Sequence, residues 1–158
     1  MKRIVVSGIA LLLMANAAQA QFVERKALTV KAAESMTASC AAFAAKHNWH
    51  LAVWVLDDAG IPLAFRRMDG AGAMAVTTSQ EKAKTALRLG HPSGDLSQGL
   101  AQGHLEILGL GLFPMQGGLP IIADGQVVGA IGAGGAQSSQ DEQCAQAGLD
   151  AVLGKKAR

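Results

Sequence analysis

The chain has 158 residues, of which 50% are hydrophobic, 16% are charged and only 4% are aromatic. The apolar content excludes a disordered chain, and the length fits one domain with its own core. Lys and Arg number 14 against 12 Asp and Glu, and no basic stretch is interleaved with aromatic residues, so nucleic-acid binding is disfavoured.

The first 20 residues have the order of a secretory signal peptide. Lys2-Arg3 precedes an uncharged apolar run over 4–15, and Ala18-Gln19-Ala20 is a small-residue cleavage site. We expect cleavage after Ala20, which leaves residues 21–158 as a single, formally neutral domain. The apolar run is shorter than the about 20 residues that span a bilayer. A periplasmic or secreted protein without a membrane anchor is therefore predicted.

The first half of this domain is predicted to contain a helix and a β-hairpin. Apolar residues recur at helical spacing from Leu28 to about His47, with Thr29 as N-cap. The apolar run His50–Leu56 and the segment Ile61–Arg67 follow, separated by an Asp-Asp-Ala-Gly turn. Two such runs joined by a short turn are typical of a hairpin.

A second helical period covers Met74–Leu89, and Gln80, Glu81, Lys82, Lys84 and Arg88 are interpreted as its polar faces. The helix is predicted to end at Gly90-His91-Pro92, since the residue before a proline is disfavoured in helices. Ser93 is a candidate cap for a short, glycine-weakened helix. The segment Gly109–Gly118 is predicted as a loop that leaves room for a short strand.

The last part of the chain indicates a second hairpin and a final helix. Leu119–Ala123 and Gln126–Gly132 are apolar and flank Asp124-Gly125, a pair that favours a type I′ turn. Ser138-Ser139 gives overlapping capping-box patterns for a helix to about Leu153. The predicted fold class is therefore α+β, with a mainly antiparallel five-stranded sheet flanked by helices.

The chain has two cysteines, Cys40 and Cys144. In an exported protein two cysteines more often pair than stay free, so a disulfide is expected. The pairing requires the first and last predicted helices to lie side by side. Two buried free thiols are the alternative.

Three partial motifs carry no complete catalytic site. Gly129–Gly135 lies between a strand and a helix but matches neither nucleotide-binding glycine pattern, and a tight strand-to-helix turn is preferred over an anion site. Ser79 and Lys82 have β-lactamase spacing, and His104 with Glu106 has the deaminase H-x-E pattern, but each lacks its partner motif. None of the three motifs therefore predicts a particular reaction.

His91 is the strongest candidate ligand among the histidines, because Gly90 and Pro92 hold it in an exposed loop beside Ser93. Imidazole is a common ligand of haem iron. The remaining histidines are interpreted as solvated, and three methionines are candidates for a soft axial ligand as well as for core packing: His47, His50, His104, Met68, Met74 and Met115.

Several segments together resemble the GlcG/HbpS family of small domains, to which the PduO C-terminal domain is related. They occur in the family's order and cover nearly all of the mature chain. They are Leu63–Ala71, Lys82-Ala83 with Thr85-Ala86, Gly117–Ile121, Val127–Gly132 and Gln140–Glu142.

The resemblance implies a profilin-like sheet flanked by helices, assembly into homo-oligomers and, in some members, haem or tetrapyrrole binding. An exported member would serve haem capture or redox sensing. His91 is then expected to bind the haem iron, with Ser93 nearby and Arg66 or Arg67 holding the propionates.

Two other functions stay open. Some relatives suggest an enzyme or sensor for a small hydroxy- or oxo-acid such as glycolate. In that case Arg66 or Arg67 and the amides of Gly132–Gly135 would bind the carboxylate, with Asp69 or Glu81 as base. The other alternative is an oligomeric structural module that binds no small molecule.

Overall fold

A computed structural model describes residues 23–154. The predicted signal peptide and the last four residues lie outside this range. The elements in chain order are helix α1 (Val30–Lys46), strands β1 (Ala52–Asp57) and β2 (Pro62–Arg67), helices α2 (Ala73–Leu89) and α3 (Asp95–Ala101), a 3-10 helix (Leu105–Leu110), strands β3 (Gly118–Ala123) and β4 (Gln126–Gly134), and helix α4 (Ser138–Leu153). None of the helices in 23–154 is both long and apolar enough to cross a bilayer.

The strands form one antiparallel sheet in the order β2-β1-β4-β3. Helix α2 packs on one face, and α1 and α4 pack together on the other. The predicted α+β class and both hairpins are confirmed. Asp124 and Gly125 both have positive φ, 47° and 77°, as a type I′ turn requires.

The sheet of the described chain has four strands, so the prediction of five was wrong. The segment before β3 contains Gly117 at φ 120°, which interrupts extended backbone. Side chains bond the backbone of its earlier part: the Phe113 amide donates to Thr85 Oγ1 at 2.8 Å, and the Met115 carbonyl accepts from Ser93 Oγ at 2.5 Å. Contact with the sheet begins at Gly117, whose carbonyl accepts from the Ala133 amide of β4 at 2.8 Å. The polar groups of Phe113 and Met115 are thus satisfied without a fifth strand.

The helix starts were only partly predicted. Thr29 caps α1 as expected, because its hydroxyl accepts a hydrogen bond from the Ala32 amide. Helix α4 has a capping box formed by Gln137 and Gln140 instead of the two serines. The three-residue spacing is the predicted one, but the N-cap lies at Gln137, one residue before the first of the two serines.

The glycine-rich segment lies mostly in strand β4, which extends to Gly134, two residues beyond the predicted end at Gly132. Gly132 and Gly134 point at α2, where an added Cβ at Gly132 would overlap the Ser79 carbonyl oxygen. The missing side chains therefore let the helix backbone lie directly on the sheet. Only Gly135, with φ 129°, serves the turn toward α4.

Replacing Gly132 with alanine is expected to lower the free energy of unfolding by at least about 1–3 kcal/mol, because the helix must move away from the sheet. Gly109→Ala is the matched control, since nothing lies within 4 Å of the added methyl group there. Urea denaturation of both variants measures the difference. Equal midpoints would contradict the close approach.

The opposite face holds the main core. Cys40 and Cys144 are fully buried in it and form a disulfide with their Cα atoms 4.6 Å apart. The side-by-side packing of α1 and α4 is thus confirmed. Gly148 contributes to it, because an added Cβ there would crowd the Met36 carbonyl oxygen.

Candidate functional site

An apolar cleft lies beside His91, in the loop that follows α2. Its volume is about 220 Å³, and we call it the His91 cleft. Strand β3 and helix α4 supply most of its wall. The residues that define it are His91, Pro92, Leu119, Ile122, Leu149 and Leu153.

Part of the apolar wall of the cleft is exposed to solvent. Ile122 is 38% exposed and Leu153 is 46% exposed, while the His91 imidazole is also open to solvent. An accessible nitrogen ligand therefore stands at the rim of an aliphatic surface. This combination suits a planar, largely apolar ligand with a metal centre.

Ser93 lies close to His91 along the chain but is fully buried. Its hydroxyl donates to the Met115 carbonyl at 2.5 Å and accepts from the Gly118 amide at 3.0 Å. It does not cap α3, whose N-cap is Gly94. The structure thus assigns this side chain to holding the start of β3.

Arg66 and Arg67 lie on β2, at the sheet edge opposite β3. Three strand spacings, about 14 Å in all, separate that edge from the wall of the His91 cleft. Both arginines are exposed, and Arg67 Nε donates to the Ala71 carbonyl at 2.8 Å. One copy of the chain therefore does not bring the arginines and His91 together.

The remaining candidates lie outside the His91 cleft. His50 Nδ1 is 2.7 Å from the Asp69 carbonyl, His104 pairs with Glu106, and His47 stacks on Trp49. Within residues 23–154, no group of three or more His, Cys, Asp or Glu side chains is arranged to hold a metal ion. The three methionines also lie elsewhere: Met68 beside the core, and Met74 and Met115 at a second cleft.

Some of the residues suggested for a hydroxy-acid site have other partners in the structure. Gly132 and Gly134 pair with β1 inside the sheet. Glu81 accepts from Lys84 Nζ at 2.8 Å on the outer side of α2. Arg66, Arg67 and Asp69 are exposed, so these three candidates stay open.

A buried ion pair was missed in the sequence. Lys82 Nζ donates to Asp141 Oδ2 at 2.6 Å, and each side chain is only 2% exposed. The interpretation of Lys82 as part of a polar helix face was wrong. The available signal was its position: it lies three residues after Ser79 and seven after Ala75, on the small-residue stripe of α2 that faces the sheet.

The ion pair joins the two sides of the sheet beside Gly117, where β3 begins. Asp141 Oδ1 also accepts from the Ala136 amide at 3.0 Å. Burial raises the pKa of Asp141 above 3.8, and the hydrogen bond and charge of Lys82 oppose that shift. Burial likewise raises the pKa of the neighbouring Glu142 above 4.5.

The sequence of the chain matches the model of a family described as "Haem degrading protein HbpS-like" over residues 28–150. It is 36% identical to Protein GlcG of Escherichia coli K12 over 98 residues, which cover 56% of this chain and 67% of GlcG. It is also 33% identical to an uncharacterized 15.0 kDa protein of Citrobacter freundii, over 78% of this chain and 90% of that protein.

The fold is similar to solved structures of related proteins. A double mutant of HbpS from Streptomyces reticuli has a TM-score of 0.77 at 34% identity, covering 85% of this chain and 92% of that one. A PduOC:heme complex has a TM-score of 0.74 at 24% identity, covering 80% and 96%. The second similarity is one of fold alone.

Proposed function

The chain belongs to the HbpS-like family, and on that premise we propose that it binds haem at the His91 cleft. The family match over residues 28–150 is the observation that carries the proposal. Within the chain, the exposed imidazole beside an aliphatic wall supplies the matching chemistry. His91 would bind the iron, and Ile122 and Leu153 would contact the macrocycle.

The size of the cleft bears on how haem would bind. At about 220 Å³ it is smaller than the about 300–1,000 Å³ typical of sites that enclose a small-molecule ligand. It therefore suits one edge of the macrocycle. We propose that a second copy of the chain covers the rest, and that Arg66 or Arg67 of that copy is available to the propionates.

Export is part of the proposal. The signal-peptide pattern of residues 1–20 and the Cys40–Cys144 disulfide both fit a periplasmic or secreted protein. The function proposed for such a protein is haem capture or redox sensing outside the cytoplasm.

Titrating the mature chain with hemin tests the site. We expect a saturable shift of the Soret band, and at least about tenfold weaker binding for His91→Ala, because the iron loses its protein ligand. His104→Ala is the matched control, since it removes another exposed imidazole.

An unchanged titration of the His91 variant would contradict the iron ligand, and no Soret shift in the parent chain would contradict haem binding. The same samples can also be tested for haem degradation. Slow loss of the Soret band in the presence of a reductant and dissolved oxygen, but not with the reductant alone, would extend the function to the haem degradation named in the family description.

A further inference from the structure

A second cleft, of about 380 Å³, opens above the buried ion pair. We call it the Lys82 cleft. It lies between the first turns of α2 and α4. The Lys82–Asp141 ion pair, which connects the two faces of the sheet near the start of β3, lies at its floor. Lys82, Asp141, Met74, Met115, Thr78 and Ser138 line it.

The ammonium group at its floor has spare hydrogen-bonding capacity. A lysine ammonium has three N–H donors, and among residues 23–154 its hydrogen-bond partner is Asp141 alone. The Asp141 carboxylate has both oxygens occupied, one by Lys82 and one by the Ala136 amide. Lys82 and Asp141 both line the cleft, and the ammonium group has more donors than its one protein partner uses.

One part of the wall of the Lys82 cleft also favours a negatively charged ligand. Helix α4 begins at Ser138, and the N-terminal end of a helix favours a negative charge. The Gln140 amide is already bonded to the Gln137 carbonyl at 2.8 Å, which leaves the amides of Ser138 and Ser139 as the candidate donors of this turn. No hydrogen-bond partner of the Ser138 hydroxyl occurs in the described part of the chain. Thr78 differs, because its hydroxyl proton is directed at the Met74 carbonyl at 2.9 Å.

The remaining wall is apolar. Met74 and Met115 are 74% and 41% exposed at the mouth of the cleft, and Gly72 and Gly135 leave its rim without side chains. A ligand that fits must combine a compact oxygen anion with a short apolar body. We propose that the Lys82 cleft binds a short-chain monocarboxylate, whose oxygens accept from Lys82 and from the start of α4 while its alkyl end contacts Met74 and Met115.

Thermal unfolding of the full mature chain tests this proposal with formate, acetate, propionate and butyrate as probes, each compared with chloride at equal ionic strength. We expect a saturable rise in Tm that grows from formate to butyrate, because a ligand of the native state stabilises it by mass action. Propionamide, which has the same size but no charge, should give no rise.

Ser138→Asp and Ser139→Asp form the decisive pair of variants. An acidic residue in the first turn favours a helix, so both variants should fold. Ser138 lines the cleft and Ser139 does not. We expect carboxylate affinity at least about tenfold weaker in Ser138→Asp, through like-charge repulsion, and unchanged in Ser139→Asp.

Three outcomes would overturn the proposal: no rise in Tm beyond that with chloride, an equal rise with propionamide, or equal carboxylate affinity in the two variants. His91→Ala should leave the carboxylate response intact. The result is therefore independent of the haem titration.

Discussion

Replacing Lys82 with methionine is expected to lower the free energy of unfolding by about 3–5 kcal/mol at neutral pH. Methionine fills most of the same space, but it leaves the Asp141 carboxylate buried at 2% exposure without its cation. This change removes the two interactions with Lys82 that lower the pKa of Asp141. Chemical denaturation of the purified variant measures the loss.

The pH dependence of the stability of Lys82→Met shows whether the unpaired Asp141 carboxylate causes the loss. With Lys82 gone, the pKa of Asp141 rises further above 3.8 in the folded state, while the unfolded value stays near 3.8. The folded protein then binds this proton more tightly, so the contribution of Asp141 to stability is fully present below pH 3.8 and is lost as pH rises through the folded pKa. The limiting slope is about 1.4 kcal/mol per pH unit for one group.

Two further variants control this experiment. Lys84→Met removes an exposed lysine that pairs with Glu81, each about 40% exposed, and should change stability by less than about 1 kcal/mol. Lys82→Met combined with Asp141→Asn should recover part of the loss and flatten the pH profile. A Lys82 variant that matches Lys84→Met would show that the ion pair contributes little to folding.

Replacing Cys40 and Cys144 together with alanine is expected to cost about 4–5 kcal/mol of stability. The disulfide closes a loop with a sequence separation of 104 residues, and opening it gives the unfolded chain back a large conformational entropy. Denaturation of the oxidised parent and of the double variant measures the difference.

Reduction separates the cross-link from the loss of side-chain volume. Dithiothreitol should lower the midpoint of the parent chain toward that of the double variant and leave the variant unchanged. Both sulfur atoms belong to fully buried residues, so reduction at low denaturant should be slow. Equal stability of the parent with and without reductant would contradict a stabilising cross-link.

Local signals predicted most of the elements. Thr29 and Asp124-Gly125 have a preferred backbone geometry of their own, and the structure uses both as expected. The pairing of Cys40 with Cys144 followed from cysteine number and expected compartment, without knowledge of the fold. These features depend on residues close in sequence or on a single possible pairing.

The features that sequence reasoning missed depend on contacts between distant segments. Lys82 looks like a surface lysine until its partner Asp141, 59 positions later, is known to lie beside it. The glycines around Gly132 suggest a tight turn until the α2 backbone is known to lie where a Cβ of Gly132 would be. Likewise, Ser93 has the residue type of a helix cap, and tertiary packing assigns its hydroxyl to a buried role.

The helices on the two faces of the sheet are held in place by different interactions. On one face a disulfide links α1 to α4. On the other face α2 packs directly against the backbone of β4, because Gly132 and Gly134 have no side chains. Reduction of the disulfide would weaken the packing of α1 on α4, and a larger side chain at Gly132 or Gly134 would weaken the packing of α2 on the sheet. The His91 cleft has its histidine at the end of α2 and much of its wall on α4. Its width therefore depends both on the disulfide that holds α4 and on the glycines that let α2 lie close to the sheet.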